Sequence, residues 1–252
     1  MVDSSETEEV VVHELPGAGR LAAWGTAALT GACSLDEAAD AVTGPHDAAH
    51  RVLGLPGEGT PVTLAYALGR LRFLGAAALR LVLTRPGDPS GLPGPKAFTE
   101  GAVAGGAAVV AVGAEIGLLP AARGDWQTYV VEPDRRTPLS IHDAERALGA
   151  VVRDAAEVLA ALDVARWDPA AADVISRGTR AASSPLPPSA PPAAHALLAR
   201  SLRLASVLEV AQASEGAAVS GTAMTARRQV LRDLDTAVRR AVEAACSPPP
   251  PG

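Results

Sequence analysis

The chain has 252 residues, 48% of them hydrophobic and 20% charged, the balance of a globular protein that buries a sizeable core. Its net charge of −6 excludes a constitutive binder of nucleic acid or of an anionic membrane surface. Aromatics make up only 3%, so Val, Leu and Ala must fill the interior, and the wealth of Ala favours helix.

The chain opens acidic: nine acids and one base, Arg20, lie between Met1 and His50. Asp3, Glu6, Glu8 and Glu9 read as a solvated start, with residues 1–8 disordered, and the basic and apolar regions of a secretory signal are missing. Val10 to Leu15 is β-branched at its start and ends at Pro16-Gly17, so it predicts a strand. Leu21, Trp24 and Ala28 then recur at helical spacing. Ser34 followed by Glu37 is a capping box, in which each side chain satisfies an orphan amide at a helix start. Leu35, Ala38, Ala39 and Val42 give that helix its apolar stripe, and Gly44-Pro45 ends it.

His46-Asp47-Ala48-Ala49-His50 follows. Histidines at i and i+4 of a helix share a face and can ligate one divalent metal, so His46 and His50 are the candidate metal ligands. The pattern resembles the H-E-x-x-H of zinc peptidases, where the glutamate is the general base. It departs from that pattern in three ways: the acid is Asp, Pro45 puts His46 in the first turn, and spacing marks no third ligand. Two surface histidines beside a capping Asp are the simpler reading. No other cofactor is indicated.

Thr60-Pro61 predicts the next helix start, with Leu64, Leu68, Leu71 and Leu74 on one face. The period then drops to two: Leu79, Leu81 and Leu83 alternate with Arg80, Val82 and Thr84, as in a strand with one buried face. The segment from Gly87 to Pro95 is dense in Gly and Pro and leads to Lys96, the only lysine. Glycines let backbone amides approach an anion, and a helix start after Pro95 offers free N–H groups. Gly91, Gly94 and Lys96 are therefore the candidate ligand-binding residues. The phosphate-loop pattern is not matched, and Pro89, Pro93 and Pro95 remove donors such a cradle needs, which favours a rigid surface loop.

A short helix is expected around Lys96 to Val103. The apolar run Gly101 to Ala114 spans only about 21 Å as a helix, short of a hydrocarbon core of about 30 Å. Its Gly101 and Gly105 read as close packing, not as a membrane dimer face. Ala107 to Val112, Ile116 to Leu119 and Trp126 to Glu132 predict three strands whose short turns favour antiparallel pairing.

After Pro138 the pattern is helical. Ser140 is an N-cap, and Leu148, Val151, Ala155, Leu159 and Leu162 make a sustained stripe. Asp168-Pro169 starts a shorter helix. Ser183 to Pro192 reads as an exposed, extended proline-rich linker. Ala193 to Ser214 and Thr222 to Ala245 form a helical hairpin, with Leu198, Leu202, Ala205 and Leu208 facing Leu231, Leu234, Val238 and Val242. Arg227, Arg228, Arg232, Arg239 and Arg240 lie on the last helix, where Asp235, Arg239 and Glu243 at i,i+4 spacing read as a solvated face.

The fold class is therefore α+β: a small, mainly antiparallel sheet with N-terminal helices, then an all-helical C-terminal region ending in a helical hairpin. The expected divisions are an α+β part over 1–137, a helical segment packed on it over 138–182, a linker over 183–192, the hairpin over 193–246, and a disordered tail over 247–252. Cys33 and Cys246 leave a single disulfide open but require no oxidising compartment, and the expected location is the cytoplasm. No nucleophile elbow or dinucleotide fingerprint occurs, so no catalytic residue is assigned. The leading expectation is a non-catalytic protein-interaction or scaffolding protein whose partner is another protein or itself. The alternative is a metal-dependent hydrolase or a small anionic-ligand binder that uses His46 and His50 or the loop before Lys96.

Overall fold

The computed structural model describes residues 15–44, 49–134, 136, 139–161, 185–213 and 221–247. The expected strand at Val10, the histidine His46, the helix after Asp168-Pro169 and the tail beyond Ser247 lie outside them.

Helix α1 (Gly17–Leu29) is followed by α2 (Leu35–Thr43), whose start is the expected cap: the Glu37 amide donates to Ser34 Oγ at 3.1 Å. Strands β1 (Arg51–Leu53) and β2 (Val62–Thr63) come next, both too short for a period of two to register in the sequence. Helix α3 (Leu64–Phe73) starts later than Thr60-Pro61 suggested, because Thr63 is its cap, accepting from the Tyr66 amide at 3.3 Å. Then follow β3 (Ala78–Leu83), α4 (Lys96–Gly105), β4 (Ala107–Val112), β5 (Ile116–Pro120), a 3-10 turn at Ala122–Gly124, and β6 (Trp126–Val130). Beyond them run α5 (Ile141–Ala161), α6 (Pro192–Ala213) and α7 (Gly221–Cys246).

The six strands form one sheet in the order β2-β1-β6-β5-β4-β3, antiparallel throughout except for β1 beside β6. One face carries the main core. Leu79 and Leu81 of β3, Val109 of β4 and Leu118 of β5 join Leu21, Leu68, Leu148 and Leu198 from the helices, all at most 1% exposed. The opposite face is covered too: Val82, Ala108, Val110 and Leu119 pack on Phe98 and Ala102 of α4. So β3 is buried on both faces, whereas its alternating pattern implied one; the polar residue that breaks the apolar run, Arg80, is itself 8% exposed. Phe98 can pack against β5 because Gly117 is opposite, where a Cβ would collide with its ring. Of the two glycines expected to pack closely, Gly101 does, since a Cβ would come within 2.5 Å of Leu119, while Gly105 faces no neighbour within 4 Å.

The C-terminal helices pack on the same body. Helix α7 lies against α6, α5 and the outer strand β3, with Leu234, Val238 and Val242 buried. The described end of the proline-rich stretch is not a bare, exposed spacer. Leu186 is 3% exposed, and the Trp24 indole N–H donates to the Pro185 carbonyl at 2.9 Å, anchoring the stretch to α1. No helix among the described residues is long and apolar enough to cross a membrane.

Candidate functional site

Strand β3 is an edge of the sheet, so the N–H groups of Leu79, Leu81 and Leu83 have no strand to pair with. Side chains satisfy them instead. The Leu79 amide donates to Thr26 Oγ1 at 2.9 Å, that of Leu81 to Ser247 Oγ at 2.7 Å, and that of Leu83 to Glu243 Oε1 at 2.6 Å. Two of these acceptors come from α7 and its end, which fixes that helix along the edge. Arg239 completes the seam: it is 9% exposed, and its guanidinium donates to the Leu83 carbonyl at 2.9 Å, to Asp88 at 3.0 Å and to Asp235 at 3.1 Å. The i,i+4 array of Asp235, Arg239 and Glu243 is thus turned toward β3 and not toward solvent, contrary to the sequence reading. The helix needs these charges to bind an unpaired edge.

Between this seam and the Gly/Pro-rich loop lies a cleft of about 480 Å³. Arg80, Arg136 and Arg240 line it, facing Glu243, Asp88 and the serines Ser90 and Ser247. Arg80 reaches it from β3, with its Nε donating to Asp134 at 2.5 Å; the Asp134 carboxylate is only 4% exposed. The Arg80 Nη2, however, is shielded from solvent and has no hydrogen-bond partner among the described residues. Arg240 is exposed and makes no ion pair with a described residue, and the Arg136 guanidinium is held over the loop by the Ser90 carbonyl. A buried guanidinium N–H without an acceptor is costly unless a ligand supplies one.

The carboxylates are tuned in opposite directions. Burial pushes Glu243 up to about 7, although the Leu83 amide and the charges of Arg80, Arg239 and Arg240 pull the other way. Burial also works against ionisation of Asp88, but the Arg239 hydrogen bond, the Ser90 amide and the charges of Arg239 and Arg240 together hold it below its ordinary value. Arg80 is already paired with Asp134, so Arg136 and Arg240 are the cleft guanidiniums left to face Asp88 and Glu243. Both serine hydroxyls are engaged with β3: Ser90 Oγ donates to the Leu83 carbonyl at 2.9 Å, and Ser247 Oγ accepts from Leu81.

Of the loop residues singled out in the sequence, Gly91 lines the cleft, where its φ of +59 sits beneath the Arg136 guanidinium. Gly94 instead lies against Glu132, and its carbonyl accepts from the Glu132 amide at 3.1 Å. Lys96 is away from the cleft, its side chain 87% exposed and 3.4 Å from Glu100 one turn on. The loop borders this cleft, but the cleft's cations come from β3, α7 and the segment after β6. Only Arg80, as a charge inside an apolar strand, was a signal that sequence reading could have used.

His50 sits at the far side of the sheet. It is not helical but immediately precedes β1, is 7% exposed, and its Nδ1 accepts from the Trp126 indole N–H at 3.4 Å. Next to it, the Arg51 guanidinium donates to Asp125 at 2.8 Å, and the Arg51 amide donates to the same carboxylate at 3.0 Å. These bonds hold Asp125 below the ordinary carboxylate range, the Arg51 side chain being the main cause. Among the described residues no group of three or more His, Cys, Asp or Glu side chains could hold a metal ion.

Comparison with known families adds a boundary. Residues 18–140 match the model described as the N-terminal domain of Rv1486c-like protein, and residues 142–243 match the one described as its C-terminal domain. No curated protein and no solved structure matches the chain. The two matched stretches meet at Ile141, the first residue of α5, so the cleft draws Arg80, Asp88 and Arg136 from one and Arg240 and Glu243 from the other.

Proposed function

We propose that this chain binds a small anionic ligand in the cleft between β3, the Gly/Pro-rich loop and α7. The observation that carries the reading is Arg80: a buried guanidinium whose Nη2 meets no acceptor among the described residues, on the wall of a cleft that also holds Arg136 and Arg240. A carboxylate or phosphate oxygen would supply the missing acceptor, and guanidinium forks match such groups in shape as well as charge. The position supports it as well, because ligand sites favour the junction of two structural units. Binding fits better than acyl transfer, since both serines of the cleft spend their hydroxyl groups on the edge of β3.

Calorimetric titration with inorganic phosphate tests this. Wild type should bind, and Arg240→Gln, which alters only an exposed side chain, should weaken binding at least about tenfold. Equal heats from the two proteins would reject the reading.

A second reading, association with another protein or a second copy, is favoured by α3. Tyr66 and Phe73 share a face of that helix at 49% and 78% exposure, and Arg70 lies 5.1 Å over the Phe73 ring. Light scattering of wild type and Phe73→Ser across a concentration series tests it; two monomers at every concentration reject self-association. A cytoplasmic setting is supported by Cys33 and Cys246, both free thiols.

A further inference from the structure

The cleft does not end at its charged wall. A second groove, of about 580 Å³, runs between α5 and α7, and Leu139 and Arg240 line both. The two spaces therefore meet at the start of α5. The groove is apolar for most of its length: Ala147, Val151, Ala155 and Val158 of α5 face Val230 and Ala237 of α7. Asp154, Asp233 and Thr236 are its polar members, and Asp233 is already bonded to Gln229 at 2.9 Å. Leu139 and Val158, at 42% and 37% exposure, leave apolar surface open at its two ends. From Ala144 to Val158 the groove follows α5 for about 21 Å at 1.5 Å per residue.

We infer that the ligand is a soluble anionic amphiphile, with its carboxylate or phosphate head between Arg80 and Arg240 and a single aliphatic chain along the α5–α7 groove. This rests on the anion-binding reading above and adds the tail. Arg240 stands where head and tail must join, since it lines both spaces. Its aliphatic stem can line the groove while the guanidinium meets the head. Beside Ala147, Val151 and Ala155 the tail meets only apolar side chains. A long extended groove also suits one unbranched chain better than a compact ring.

Calorimetry with hexanoate, decanoate and decanol, each below its micelle-forming concentration, and with inorganic phosphate decides it. Each methylene buried should tighten binding roughly fourfold, so decanoate should exceed hexanoate by well over about tenfold. Ala147→Trp, a change at an exposed position that fills the groove, should abolish that gain and leave phosphate binding intact; Val158→Asp should repeat the effect at the far end. Arg240→Gln should weaken both decanoate and phosphate. If phosphate binds through Arg240 but decanoate is no tighter than hexanoate, the amphiphile is overturned and the anion reading stands. If decanol binds as well as decanoate and phosphate does not bind, the anion reading falls, and this inference with it. Sedimentation with vesicles containing an anionic phospholipid separates the sources: vesicle binding without binding of monomeric decanoate overturns a soluble ligand. A wild-type dimer that Ala147→Trp dissociates would show that a second copy fills the groove, and that too overturns it.

Discussion

Two polar clusters lie on opposite sides of this sheet, and they differ in whether their hydrogen bonds close. Around His50, each described group answers another: Arg51 reaches Asp125 through main chain and side chain, and Trp126 donates to His50. Around Arg80 the account stays open among the described residues: Nη2 meets no acceptor, Arg240 makes no ion pair, and burial pushes Glu243 up to about 7. A closed cluster spends its polarity on holding the fold. An open one leaves polarity unspent, and that contrast is the reason the cleft is proposed as the site.

Breaking the Arg80 cluster should have the largest effect. Arg80→Met leaves the Asp134 carboxylate buried without its partner, and about 3–5 kcal/mol of stability should be lost in denaturant unfolding. Adding Asp134→Leu should recover most of it without restoring phosphate binding, which separates the pair's structural part from its part in the cleft.

Glu243→Gln should come next, and with the opposite sign above neutral pH. The folded protein holds this carboxyl up at about 7 against an ordinary 4.5, so folding favours the protonated form. The cost of ionising it accumulates as pH rises from 4.5 and is complete above about 7. Glutamine keeps an acceptor for the Leu83 amide and has no charge to bury. The variant should be more stable than wild type at pH 8.5 by something on the order of 3 kcal/mol, and the gain should fade as the pH is lowered toward 4.5. Thermal melts across that range check it; a gain that does not change with pH would show that the carboxyl is not the cause.

On the closed side, Asp125→Asn should lower the melting temperature by less than Arg80→Met does and leave phosphate titration unchanged. The loss should shrink in acid, because the Asp125 carboxyl contributes only while ionised and its pKa is depressed. Smallest of all is Lys96→Ala. An exposed i,i+4 pair with Glu100 is worth only a few tenths of a kcal/mol, so stability should stay within about 0.5 kcal/mol and phosphate binding should be untouched. A clear loss of binding there would return the site to the start of α4.

Much of the frame was legible before any coordinates. Ser34, Thr63 and Ser140 stand where helices begin, and each hydroxyl accepts an amide three residues on. Only Thr63 was misplaced, with Thr60 read in its stead. The strands from Ala78 to Val130 announced themselves through β-branched and leucine-rich runs between glycine turns. The hairpin α6–α7 showed in its stripes. These are local signals, set by neighbours within a turn or a pleat, and a sequence carries them openly.

The candidate site was only half legible. Glycine and proline marked the loop, because backbone conformation is a local property, and Gly91 does line the cleft. What fills the cleft is not local: Arg80 and Glu243 are brought together only because β3 is a sheet edge whose amides require acceptors from another element. Likewise, the spacing of Asp235, Arg239 and Glu243 established that three charges share one face of α7, but not which way that face turns. The sequence by itself determined the helices, the strands and the charges they bear. Which of those charges are spent on the edge of β3, and which are left facing the cleft, depends on the backbone groups that the fold leaves without a strand partner.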